Sequence, residues 1–123
     1  MIDRFKFRFW NKKEKEYFTC GDIDYKSGIF KTYPFRTYNG CFGYKNIVAE
    51  QCTGLKDKNG RLIYAGDILG NKDFMSDVAL LKYSNEKCCY ILERRSVDEF
   101  FNKWWADRLM VIGNIHENKE LLK

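Results

Sequence analysis

Residues Thr53–Ile68 read TGLKDKNGRLIYAGDI, and this stretch decides the fold. Asn59-Gly60, inside DKNG, takes the positive φ values that tight turns need. AGD at Ala65–Asp67 is a second turn signal, set between the short apolar runs Leu62–Tyr64 and Ile68–Leu69. The pattern predicts short strands joined by tight turns. Gly54, Gly60 and Gly66 supply backbone freedom at the turns. Leu55, Leu62, Ile63, Ile68 and Leu69 supply core, and the side chains of Asp57 and Asp67 are placed to bond nearby backbone amides. The stretch holds no nucleophile or acid–base pair, so it reads as a folding module rather than an active site.

Outward from this block, strands dominate. RFKFRFW at Arg4–Trp10 alternates strictly, with Phe5, Phe7 and Phe9 on one face and Arg4, Lys6 and Arg8 on the other. Period two predicts a half-buried strand with the basic side chains outward. NKKEKEY follows as an exposed hairpin turn, and Tyr17 and Phe18 start the return strand. Residues 20–46 are rich in turn formers, with short strands expected near Gly28–Tyr33 and Tyr44–Cys52. DVALLKY at Asp77–Tyr83 and CCYILE at Cys88–Glu93 form a hairpin through SNEK. Ser96 and Glu99 make a capping box, and Val97, Phe100, Phe101, Trp104, Trp105 and Leu109 continue as a helical stripe. Asp98 and Glu99 in the first turn and Arg108 in the last suit the helix dipole. LMVIGNI at Leu109–Ile115 has no polar face and predicts a buried final strand. ENKELL adds a short terminal turn. The expected fold class is mainly β (α+β). It is a small, partly open SH3-like β-barrel with an N-terminal β-hairpin region and one amphipathic helix.

The 123 residues fit one domain, 1–123, with no internal repeat and no linker. At 45% hydrophobic and 17% aromatic the composition is globular. No apolar run approaches the ~20 residues of a membrane-spanning helix. The N-terminal MIDRFKFRFW carries charges where a secretory signal needs an apolar run. The five cysteines, Cys20, Cys41, Cys52, Cys88 and Cys89, are odd in number and include no CxxC. Together these features predict a cytoplasmic protein with reduced thiols that serve as small apolar fillers. Net charge is +5, divided as +6 over residues 1–61 and −1 over residues 62–123. This asymmetry permits a nucleic-acid or acidic-protein partner.

The sequence lacks the convergent groups an enzyme needs. Asp98 and Glu99 are explained by capping, and Asp22 and Asp24 lie in a turn-rich stretch. His116, the only histidine, follows the last strand and is expected to face solvent. There is no P-loop, dinucleotide fingerprint or HExxH. No enzyme activity, cofactor, metal or small-molecule substrate is expected. Two binding readings remain. Arg4, Lys6 and Arg8, spaced ~6–7 Å apart along one strand face, with Lys12, Lys13 and Lys15 beyond them, suit a phosphate backbone. Arg94 and Arg95 follow a strand elsewhere. Trp104 and Trp105 would instead anchor a protein partner or a self-association interface if the helix lies on the outside.

QCTGLKDKNGRLIYAGDIL at Gln51–Leu69 and VIGNIHENKELL at Val111–Leu122 resemble the YopX family of phage and prophage proteins. FKFRFWNKKEKE at Phe5–Glu16 resembles the start of that family. The three blocks are colinear, whereas residues 20–45 and 71–107 show no clear resemblance. Cys52 stands where the family usually has an aromatic residue, and Ala65 where it often has an acid. The resemblance implies a small, largely β domain with a barrel-like part, encoded by a phage or an integrated prophage. It implies no activity and carries no functional residue over. The expected function is that of an accessory protein in the host cytoplasm. It would bind a phage or host protein or assemble with itself; the alternative is nucleic-acid binding by the basic N-terminal half.

Overall fold

The computed structural model describes residues 5–18, 23–24, 29–30, 47–95 and 97–123. The chain divides into two compact units, Phe7–Glu50 and Gln51–Lys123, with the residues up to Lys6 joining the second.

In the first unit, β1 (Phe7–Asn11) and β2 (Glu16–Phe18) form an antiparallel hairpin in which Trp10 faces Tyr17. The turn is built by Asn11, whose Oδ1 accepts the amides of Lys13 and Glu14 at 3.0 Å. Lys15 takes a positive φ of 56° there. The strand β5 (Ile47–Lys56) begins beside β1. A two-stranded ribbon pairs β3 (Ile23–Asp24) with β4 (Ile29–Phe30).

The expected basic, solvated face of the first strand is corrected at Arg8. Phe9 is buried as alternation requires, but Arg8 on the opposite face is only 9% exposed. Its Nε donates to Glu50 Oε1 at 2.9 Å, and its guanidinium lies 4.4 Å from the Tyr17 ring. The Tyr17 hydroxyl donates to the same Glu50 oxygen at 2.9 Å. The physical reason is phase: Trp10 shares the Arg8 face and packs on Tyr17 at 4.9 Å. That face is therefore apolar and aromatic towards its end, and a buried charge there requires a counter-ion.

In the second unit, β5 continues and pairs with β6 (Leu62–Tyr64), with a register shift between Cys52 and Lys56. A five-stranded antiparallel sheet follows, formed by β7 (Asp67–Gly70), β8 (Ala79–Ser84), β9 (Cys89–Glu93), β10 (Asp98–Phe100) and β11 (Met110–Asn114). Its spatial order is β10-β9-β8-β7-β11, and it curls into a half-barrel. Among the described residues the protein is thus mainly β with one short α-helix. The two turns read from the sequence form as expected. Asp57 Oδ1 accepts the amides of Asn59 and Arg61 at 2.9 and 2.8 Å, and its Oδ2 accepts Val111 N at 2.9 Å. One buried carboxylate thereby ties the DKNG turn to β11. Asp67 Oδ2 accepts Tyr64 N at 2.8 Å across the second turn. Gly60 and Gly66 adopt φ values of 85° and 94°, where a side chain would be strained. Ile63, Leu69, Ala79, Leu81, Leu92, Ala106 and Leu109 form the core, with Phe101, Trp105 and Val111 packed against it.

Two elements differ from expectation. The stripe from Val97 to Leu109 is not one helix. Asp98–Phe100 is a strand paired with β9, and the helix α1 covers only Lys103–Ala106. Arg94 N donates to Val97 O and Phe101 N donates to Tyr90 O, so the sheet takes the backbone groups that a helix would have used. Glu99 lies opposite Leu92 with its carboxylate 3.8 Å from Arg94 Nη1. Asn102 caps the short helix instead, its side chain accepting Trp105 N at 3.3 Å. The final strand is also not buried throughout. β11 is an outer strand with Ile112 exposed, while β7 is buried at all four positions. The terminal turn forms as a 3-10 turn at Lys119–Leu122.

Candidate functional site

The short helix α1 places Trp104 and Trp105 beside each other, and a turn after β7 brings Phe74 to both. Asn71 builds that turn. Its backbone oxygen accepts the amides of Phe74 and Met75, and its Oδ1 accepts Asp73 N. Its Nδ2 donates to Arg108 O at 2.8 Å, which fixes the turn to the residue just beyond α1. The three rings meet edge to face, with centroids 5.0 Å apart for Trp104–Trp105, 5.6 Å for Phe74–Trp104 and 6.0 Å for Phe74–Trp105. Each such contact adds about 0.5–1.5 kcal/mol beyond area burial, so the cluster is held in one arrangement. It is nonetheless open to solvent: Trp104 is 49% exposed and Phe74 is 41% exposed.

Two arginines flank the rings. Arg108 lies 4.0 Å from the Trp104 centroid, and its Nη1 donates to Trp104 O at 2.7 Å. Arg94 lies 5.7 Å from the Trp105 centroid. Arg94 is clamped by Asp77 through two hydrogen bonds, Nε to Oδ2 at 3.0 Å and Nη2 to Oδ1 at 2.9 Å. This clamp, first through its hydrogen bonding and then through charge, holds the Asp77 carboxyl below the usual aspartate range and pushes the Arg94 guanidinium up. A rigid aromatic surface bordered by arginine has the composition of the centre of a protein–protein interface.

The other expected binding residues that are described lie before and on β1, in the β1–β2 turn and just after β9. Arg4 lies outside the described residues. Lys6 is exposed, and Lys12 and Lys13 are exposed in the β1–β2 turn with Lys15. Arg8 is buried against Glu50, so it lends no open charge to that surface. Arg95 is exposed, and its Nη2 donates to Lys123 O at 3.3 Å. It borders a cleft of about 800 Å³ that Val78, Leu121 and Leu122 also line. His116 sits in the turn after β11, where its amide donates to Asn114 Oδ1 at 3.0 Å. Cys52 is buried, Cys88 exposed and Cys89 half-buried; Cys20 and Cys41 lie outside the described residues. Among the described residues, no group of three His, Cys, Asp or Glu side chains is placed to hold a metal. Nor does any described helix have the length and apolarity to cross a membrane.

The sequence reading missed Phe74 and Arg108 as parts of the aromatic site. The available signal for Phe74 was a lone aromatic among the charges of NKDFM; for Arg108 it was the four-residue helical step from Trp104.

In its described residues this is a small, mainly β protein with an exposed aromatic cluster beside a short α-helix. The sequence profile of the YopX protein family matches residues 6–123, and the chain belongs to that family. The crystal structure of protein EF1440 from Enterococcus faecalis is similar over nearly its whole length. The two are 29% identical, with a TM-score of 0.62, over 96% of this chain and 97% of that one. No curated protein matches the chain.

Proposed function

We propose that this YopX family member is a non-catalytic module that binds another protein through Phe74, Trp104, Trp105 and Arg108. One observation carries the reading: Trp104 is half exposed yet fixed by two aromatic neighbours and an arginine. Contiguous exposed apolar surface rimmed by polar groups is characteristic of sites that another molecule covers. Pre-fixed rings also lose little entropy when they are covered. The resemblance to phage and prophage proteins supports an accessory role, with a phage or host protein as partner in the host cytoplasm. The curled five-stranded sheet supports reading the scaffold as a partly open SH3-like barrel.

Affinity capture from host cells tests this reading, with wild-type protein run beside Trp104→Ala and Phe74→Ala. The expected result is a protein retained by wild type after nuclease treatment and released from Trp104→Ala. Loss of a central aromatic anchor lowers affinity about 30-fold or more. If both variants retain what wild type retains, the reading fails. Salt-sensitive binding of labelled oligonucleotides that is lost on changing Lys6, Lys12 and Lys13 to Glu would transfer the function to nucleic acid.

A further inference from the structure

β10 is an outer strand of the five-stranded sheet. Arg94 N donates to Val97 O and Phe101 N donates to Tyr90 O, so residues 97, 99 and 101 turn their backbone groups toward β9. Antiparallel alternation then turns the N–H and C=O of Asp98 and Phe100 outward. Guarded edges keep apolar side chains away from the open backbone. Here Phe100 is 63% exposed and Val97 is 49% exposed. Lys87 Nζ lies 5.4 Å from the Phe100 ring centroid, and Asp98 is exposed on the same face two residues away. Acid, aromatic and lysine therefore lie in a row along one open edge.

We propose that this edge pairs with the same edge of a second copy of the chain, antiparallel, about a two-fold axis at Glu99. In that register Asp98 stands opposite Phe100 of the second copy. The outward backbone groups of both copies close four hydrogen bonds. Residues in such a pair have Cα atoms about 5.5 Å apart, so each Asp98 carboxylate reaches the lysine that overlies the opposite phenylalanine. Opposite charges meet twice, once at each end of the pairing. This self-complementarity selects a second copy over an unrelated strand. The two Glu99 side chains meet at the axis on the other face, where each lies 3.8 Å from its own Arg94. That like-charge meeting weakens the pairing. With three residues per edge, the contact belongs to the weak, concentration-dependent class.

Sedimentation equilibrium up to about 1 mM protein, the range in which weak dimers populate, tests the pairing. The average mass is expected to rise from 14.7 kDa toward twice that value. Lys87→Glu and Asp98→Lys should each weaken association about tenfold, because each disturbs two cross-strand pairs at once. The double variant Lys87→Glu/Asp98→Lys should restore it, and Glu99→Gln should tighten it. Trp104→Ala should leave it unchanged, which separates this surface from the aromatic site. Asp98 also lies near Lys82 of its own chain. Each variant is therefore checked by thermal melting, and if Asp98→Lys fails to fold, Lys87→Glu and Glu99→Gln decide. A constant mass of one chain to the highest concentration overturns the proposal, as does a folded double variant no tighter than the singles.

Discussion

Glu50 is the residue on which the first unit's charge balance turns. It accepts from both Arg8 and Tyr17, and its side chain is 6% exposed. Glu50→Ala leaves the Arg8 guanidinium buried without this carboxylate and should cost about 3 kcal/mol or more. Replacing Arg8 and Glu50 together by Met and Leu should cost far less, since neither charge of this pair then stays buried. Urea unfolding of the three variants measures both. Asp57 plays a comparable part in the second unit by accepting three backbone amides, two in its own turn and one on β11. Asp57→Ala strands those amides and should lower the urea-unfolding free energy by about 2–4 kcal/mol. The role of Asp57 at its turn was legible in the sequence, because DKNG fixes the local geometry. Its bond to Val111, 54 residues away, was not, because local spacing carries no information about which strand arrives next to the turn. Arg8 was misread for a related reason. The alternation RFKFRFW places the charges on one face correctly, but Trp10 continues the same phase, and its hairpin partner Tyr17 buries that face.

Among elements, the hairpins were the most legible. Turn chemistry and period-two runs located β6, β7, β8 and β9 within a residue or two, since each pairs with a neighbour close in sequence. The run Val97–Leu109 was misread because Val97 and the aromatic residues at 100, 101, 104 and 105 satisfy a helical stripe. They also satisfy a short strand followed by one helical turn. The choice fell to the open edge of β9, which no local pattern displays. Arg94 then links these elements, binding Asp77 just before β8, approaching Glu99 on β10 and covering Trp105 on α1. Because Asp77 titrates below its ordinary range in the folded protein, the pair's contribution is fully present above the ordinary aspartate pKa. It is lost as pH falls through the depressed folded value. The gap in urea midpoint between wild type and Asp77→Asn should therefore be widest near neutral pH and close in strong acid. A gap independent of pH would contradict a stabilising ion pair.

At the scale of the whole molecule, the family and the β-rich architecture were legible because the Gln51–Leu69 block and the last strand carry most of the pattern. The aromatic site was only half legible. Trp104 and Trp105 stood out as a large apolar load, but the third ring is supplied by Phe74 from a turn that no periodicity connects to the helix. The account gives the molecule one purpose for that surface, contact with another protein. A photo-crosslinking aromatic amino acid at position 104, introduced in living cells and activated by light, tests this most directly. The account predicts a covalent adduct to another protein that survives nuclease and does not form when the same group replaces Glu120 on the exposed terminal 3-10 turn. No adduct at position 104, or one removed by nuclease, would contradict it.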